Sequence, residues 1–507
     1  MKRSFVVTIS AAVAAIVIAA AVAAAAGSGF MQNSTSPLQQ SGDKQVNGLE
    51  STFEKLSSPI KVTSASAEGP AYVPNVAIDP DKGTMYVAFI EQQANGTSNL
   101  YVKRSDDGGK TFASPVRVND KPGEVFFDGR VPPSVKVGAK GEVYVLWVKG
   151  IPAPKLFMTV MRQPIFAVSN DGAKTFSPAV VIAENEPHAD RSFYGLDASQ
   201  DGKIYVGWLN FPVKTLDNGT IVSDDSAINT VRFTRSLDGG HTFEPSIAVD
   251  KDPCECCNVN LLAHGDNTVF ISWRKKFEVP SDQVPNNSAI SQHASMAMGN
   301  GSGGGGNMGM MTMKKDDANK NGMTTVRDIV VARSIDGGKS FSEPNKVSND
   351  NFAYDSCVHV GAPMAMDGKG RLHIVWYTGK EGSPGIYYAT SYDNGQTFGK
   401  PVPILTGDWV PPSRAQLVVD GKDNAWITWE DTSGLSANAK KWKYEDTRAM
   451  IFAAVVTPDG QVFKASNPIN QDDDGKSPVI ANGADKLSIV WAGIDNEIRC
   501  STLKVPV

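Results

Sequence analysis

Three cysteines fall within four residues, Cys254, Cys256 and Cys257, and a fourth opens the triplet Cys357-Val358-His359. Thiolate and imidazole are ligands for soft or borderline metals, so this set is a candidate site for copper or zinc. In an exported chain a disulfide is the simpler expectation, Cys357 with Cys256 or Cys257. The remaining Cys500 reads as a buried strand cysteine. A segment from about 277 to 325 adds His293, Met296, Met298, Met308, Met310, Met311, Met313 and Met323 around a glycine run. Thioethers with histidine suit copper(I), while the composition itself describes a flexible insert with no core of its own, or a loop that meets a partner. The second set is cationic: Arg130 in Asp128-Gly129-Arg130, Arg191 beside His188 and Asp190, and Arg414 after Asp408-Trp409. A guanidinium fork matches a carboxylate in shape and charge. Arginines so close to acids also pair with those acids for structural reasons.

The elements that must position these groups announce themselves by repetition. Ser334-Ile335-Asp336-Gly337-Gly338-Lys339-Ser340-Phe341 is a turn sentence that recurs around Asp107, Asp171, Asp238 and Asp393. The aspartate can accept hydrogen bonds from its own turn, the glycines allow positive φ, and the phenylalanine can drop into an apolar layer. Only the copy at Asp171 departs, with Ala173 where the others carry glycine. A second repeat is a strand ending in an aromatic residue, as in Tyr144-Val145-Leu146-Trp147 or His373-Ile374-Val375-Trp376. It occurs seven times, at about 55–65 residue spacing, each time with a strand before it and in the first five units with two after it; four strands per unit is the mark of a β-propeller. The last unit has three strands of its own. Pro59-Ile60-Lys61-Val62 supplies the fourth and closes the ring by pairing the two ends of the body. This count predicts an all-β ring of seven blades, with six as the alternative if the last unit is irregular. In either ring the segments that lead into the first strands carry Arg130, Arg191, Cys256, Cys257, Cys357, His359 and Arg414 toward one axis.

The repeated turns are Asp-boxes, also called BNR repeats, and the body resembles the sialidase-like propeller superfamily. In that superfamily the boxes are structural turns on the side away from the active site, so the resemblance speaks for fold more than for activity. It implies a glycan or anionic ligand in the central funnel, with Arg130, Arg191 and Arg414 as carboxylate clamp. It also implies an exo-sialidase-like glycoside hydrolase with Asp128 or Asp190 as acid and Tyr354 as nucleophile. The family's Arg-Ile-Pro of the first blade stands here as Tyr72-Val73-Pro74, without its arginine. The rival reading is a non-catalytic metal-binding or protein-interaction propeller that uses the Cys/His/Met set.

Composition narrows the rest. With 41% hydrophobic residues and a net charge of −5, the chain is an ordinary globular one, and nothing basic points to nucleic acid. Met1-Lys2-Arg3 and the apolar run to Ala26 predict a signal peptide or membrane anchor over 1–26. Residues 27–52 read as a polar tether, and 53–507 as the propeller. The protein is thus expected outside the cytoplasm, tethered to a membrane and monomeric.

Overall fold

The computed structural model describes residues 53–64, 69–156, 159–284, 322–353, 358–408, 410, 412–431, 449–470 and 474–505. The apolar run 1–26, the tether 27–52, most of the Met-rich insertion, Tyr354, Cys357 and Trp409 lie outside them.

Seven antiparallel sheets of four principal strands each make up the body. The innermost strands are β2 (Ala71–Ile78), β6 (Ser134–Val137), β10 (Ala189–Ala198), β15 (Asn260–His264), β19 (Met364–Met366), β23 (Ala415–Val419) and β27 (Gly475–Asn482). Each touches the innermost strand of the next sheet, and β27 returns to β2, which closes the ring. The chain is a seven-bladed β-propeller. The expected closure is present: β1 (Ile60–Lys61) pairs with β29 (Ile498–Lys504), Ile60 opposite Cys500 and Lys61 opposite Arg499. Val62 and Thr63 continue the contact through their amides to the Ile498 carbonyl.

Second strands are sandwiched between neighbouring blades, so both of their faces are apolar and the usual in-out alternation disappears. In β7 (Val143–Pro152) every side chain from Val143 to Val148 is buried. The aromatic residues that end these strands fill the gaps between blades: Phe89, Trp147, Trp208, Trp273, Trp376, Trp429 and Trp491 are all at most 2% exposed.

The Asp-boxes occupy the turns between third and fourth strands. Asp336 Oδ1 accepts from Ser334 Oγ (2.7 Å), Lys339 N (2.9 Å) and Ser340 N (3.0 Å), and Oδ2 accepts from Ser340 Oγ (2.6 Å). Phe341 then packs edge-on against Phe233 of the preceding blade, at 4.9 Å. Gly338 has φ +84°, and a Cβ there would stand 2.5 Å from the Phe233 ring. From the other side, Arg235 Nη1 donates to the Gly337 carbonyl at 2.6 Å. Each box is therefore a rivet between blades as well as a turn.

The rivets carry a pH dependence. Hydrogen bonds from the Thr175 hydroxyl and amide hold the Asp171 carboxyl at about 2. At Asp238 and Asp393 burial opposes ionisation, but the bonds from Thr242 and Thr397 outweigh it and bring both to about 2; Asp107 and Asp336 are lowered as well. A carboxyl depressed in the folded state stabilises fully above its unfolded value and loses that contribution as pH falls through the folded one. We expect stability to decline between about pH 4 and pH 2. Chemical denaturation at pH 6, 4, 3 and 2 checks it. A midpoint flat across that window would contradict the assignment, and Asp171→Asn with Asp393→Asn should flatten it in proportion.

Candidate functional site

On the face opposite the Asp-boxes, the loops that lead into the innermost strands converge. In blade two, Asp128 takes both arms of Arg130: Nε to Oδ1 and Nη2 to Oδ2, each 2.7 Å. Asp128 is almost wholly buried, whereas the Arg130 side chain remains 23% exposed. Burial opposes the Asp128 charge, but Arg130 and the more distant Arg162 outweigh it and lower its pKa. Arg162, on β8 (Val160–Ser169), lies beneath and is buried. Its Nη2 and Nε reach Asp190 at 2.6 and 3.0 Å, and its Nη1 stands 3.8 Å from Asp128.

His359 arrives from blade five. Its Nε2 is 3.5 Å from Arg130 Nη1. Because a guanidinium only donates, Nε2 must be the acceptor and the ring proton sits on Nδ1. Burial first, and then Arg130, push the imidazole down to about 3, so it is neutral over the physiological range. The ring stacks on Phe193 at 6.4 Å, and the Arg162 guanidinium lies 5.2 Å from the centroid of the same Phe193 ring. Both His359 and Phe193 adopt φ of +54°, a left-handed conformation that costs free energy in non-glycine residues and concentrates where side chains are re-aimed for function. Phe193 lies in the register break between Ser192 and Gly195 of β10, and Val73 and Ser477 mark equivalent breaks in β2 and β27.

Arg414 completes the group from blade six, with Nη2 on the Gly129 carbonyl at 2.7 Å. Beside it, half-buried Glu430 at the end of β24 (Ala425–Asp431) accepts from Ser477 N at 3.1 Å. Burial raises the Glu430 pKa against the opposing influence of Lys476 and Arg414. Tyr72 and Phe127, both half-buried, meet at 5.1 Å with their rings tilted by 43° next to Asp128.

The structure thus brings Arg130, Arg414, Asp128, Asp190 and His359 into one neighbourhood and leaves Arg191 out of it. Adjacent residues of a strand point to opposite faces. With Asp190 turned toward Arg162, Arg191 faces away, donates Nη2 to the Pro187 carbonyl at 2.7 Å, and has Glu186 and Arg232 as its nearest charges. A clamp of all three sequence-predicted arginines is not formed; Arg162 stands where the third was expected.

The cysteines make a separate group in the same face, at the seam of blades four and five. Cys254 Sγ lies 3.8 Å from Cys256 Sγ and 4.0 Å from Cys257 Sγ, all buried. His359 is not part of it. Cys254, Cys257 and Cys500 are free thiols, so a bridge through Cys257 is not made; Cys256 is disulfide-bonded. Arg274, 2% exposed, sits against the group and ties its blades together through the Arg327 carbonyl (3.2 Å) and the Tyr377 carbonyl (2.7 Å). Burial opposes ionisation of Cys257, yet the Cys254 thiol and the Arg274 guanidinium bring its pKa down, whereas the neighbouring Cys257 and burial push Cys254 up.

Arg162, Arg274 and Glu430 were not singled out by motif. A signal for two of them does exist. The residue after the second-strand aromatic is Ile90, Val148, Leu209, Arg274, Tyr377, Glu430 and Ala492 in the seven blades. The only charged residues at that buried position are the two that serve the sulfur group and the funnel.

No known family description and no curated protein matches the chain. Among solved structures, a polysaccharide lyase described as an ulvan lyase is 13% identical, with 85% of this chain and 93% of that one covered at a TM-score of 0.45. The α-L-arabinanase of Penicillium chrysogenum is 11% identical over 89% and 98%, at a TM-score of 0.40. The NanB sialidase of Streptococcus pneumoniae is 11% identical over 89% and 71%, also at 0.40. These are distant likenesses of chain path, and no residue role passes from them to this chain.

Proposed function

We propose that the propeller binds a small acidic sugar at the mouth of its funnel, on the extracytoplasmic side of a membrane to which residues 1–26 tether it. The observation that carries this reading is the convergence of three guanidiniums, Arg130, Arg162 and Arg414, on one neighbourhood with Asp128 and Asp190 among their partners and His359 held neutral. Guanidiniums gathered in a partly desolvated setting are where a ligand carboxylate gains most from a planar fork of donors. The Tyr72–Phe127 pair supports a pyranose by offering an apolar face next to those charges. Sugar recognition needs this combination of flat apolar contact and directed polar groups.

If the site also hydrolyses its ligand, proton donation falls to Glu430. Burial raises its pKa, whereas Arg130 and Arg162 lower that of Asp128, and the group with the raised pKa is the better proton donor of the two. Titration calorimetry with glucuronate, galacturonate and N-acetylneuraminate, each against galactose, tests the binding. At least one acid should bind and galactose should not. Arg414→Ala should weaken the acid about tenfold, or about 1.4 kcal/mol. Equal binding of acid and neutral sugars, or an Arg414→Ala variant of unchanged affinity, would overturn the reading.

A further inference from the structure

We propose that Cys254 and Cys257 form a buried site for one monovalent soft metal ion, copper(I), bridged between their two sulfurs. The site is distinct from the arginine group and does not depend on the acidic-sugar reading.

The first argument is distance. The two sulfurs stand 4.0 Å apart, with a single sulfur-to-sulfur hydrogen bond between them. A disulfide needs about 2.05 Å, so the pair is not poised as a bond. Two metal–thiolate bonds of about 2.3 Å span up to about 4.6 Å when linear. A bent sulfur–metal–sulfur bridge therefore fits the observed gap without moving either backbone. Cys254 is anchored by its amide to the Arg274 carbonyl at 2.9 Å, which fixes one end of that gap.

The second argument is charge. Both thiols are at most 2% exposed, so the metallated group must be close to neutral together with its surroundings. Two guanidiniums act on the sulfurs, Arg274 on both and Arg327 on Cys254. Two thiolates with a monovalent ion keep one negative charge to face these guanidiniums. Two thiolates with a divalent ion carry none, and Arg274 would lose its counter-charge inside the protein. Zinc also asks for four nitrogen or sulfur ligands. His359, the imidazole the sequence offered, is engaged by Arg130 instead, and Cys256 is taken by its disulfide. Soft thiolates in a buried site with few ligands select copper(I). The ion is taken up as copper(I), so no electron is transferred; the protons of both thiols leave to solvent as it enters.

The test uses the purified full chain under anaerobic conditions, titrated with copper(I) against the chromogenic chelator bicinchoninate. One equivalent should be withheld from the chelator, and bound copper should protect two of the three free thiols from alkylation. Cys254→Ser and Cys257→Ser should each lower the affinity at least a hundredfold, while Cys500→Ser leaves it unchanged. Circular dichroism identifies a variant that fails to fold, and thiol protection in the unaltered protein then decides alone. No withheld copper, protection of Cys500 instead, or preferential loading with zinc(II) would each overturn the proposal.

Discussion

Asp190→Asn is expected to destabilise the propeller by about 3–5 kcal/mol, a loss typical of a buried ion pair that keeps only one partner. The substitution preserves shape and removes charge. Arg162 is 3% exposed and depends on Asp190 for two side-chain bonds, of 2.6 and 3.0 Å; its other carboxylate, Asp128, is 3.8 Å away and already holds Arg130. The Asp190 carboxylate also accepts from the Arg162 amide at 2.7 Å, so a strand of blade two and a strand of blade three share one acceptor. Guanidinium chloride unfolding reads the loss directly. The double variant Arg162→Met, Asp190→Leu should recover much of it, because removing both partners leaves no stranded charge. A single variant as stable as the parent would show that Arg162 finds other compensation.

Trp208→Ala should cost about as much, 3–5 kcal/mol, for a different reason. The indole is fully buried between blades, and its Nε1 has only a long bond to Asn210 Oδ1, 3.4 Å. Its loss is therefore a loss of packing. Trp208→Phe should recover part of it. Leu237→Ala, at a box residue of the same blade that is 55% exposed, should stay within about 0.5 kcal/mol of the parent. The same unfolding measurement compares the three, and a large effect at Leu237 would point to a contact across the rivet that the fold does not show.

The fold was legible because propeller blades repeat their own grammar. Strand, aromatic terminus and Asp turn recur in register, and the two-residue strand at Ile60–Lys61 could be assigned by counting alone. Even the irregular box conforms: Ala173 takes φ +63° and donates its amide to Ser169 Oγ at 2.8 Å, as glycine does elsewhere. The site was legible only by address. Loop position brought Arg130, Arg414 and His359 to the axis, but which way a side chain turns depends on strand parity and on bulges that composition does not reveal. Arg191 faces away because Asp190, one residue earlier, faces in. Arg162 went unseen because it lies on a third strand, and its role exists only across the seam with Asp190. Sulfur spacing likewise brought three cysteines together, yet the charge that makes them chemically selective comes from Arg274, on another strand.

The closure of the ring has a consequence for how the chain is made. Ile60 and Lys61 leave the ribosome about 440 residues before Cys500 and Arg499, their partners. At roughly 5–20 residues per second, that interval is on the order of 20–90 s. During that time the outermost strand of blade seven has no sheet to join, and blade one lacks the neighbour that covers Phe89 and Val87. Assembly can therefore proceed blade by blade but cannot finish in that order. The first short strand must wait, unpaired, for the last long one, and the protein becomes resistant to proteases in a single late step.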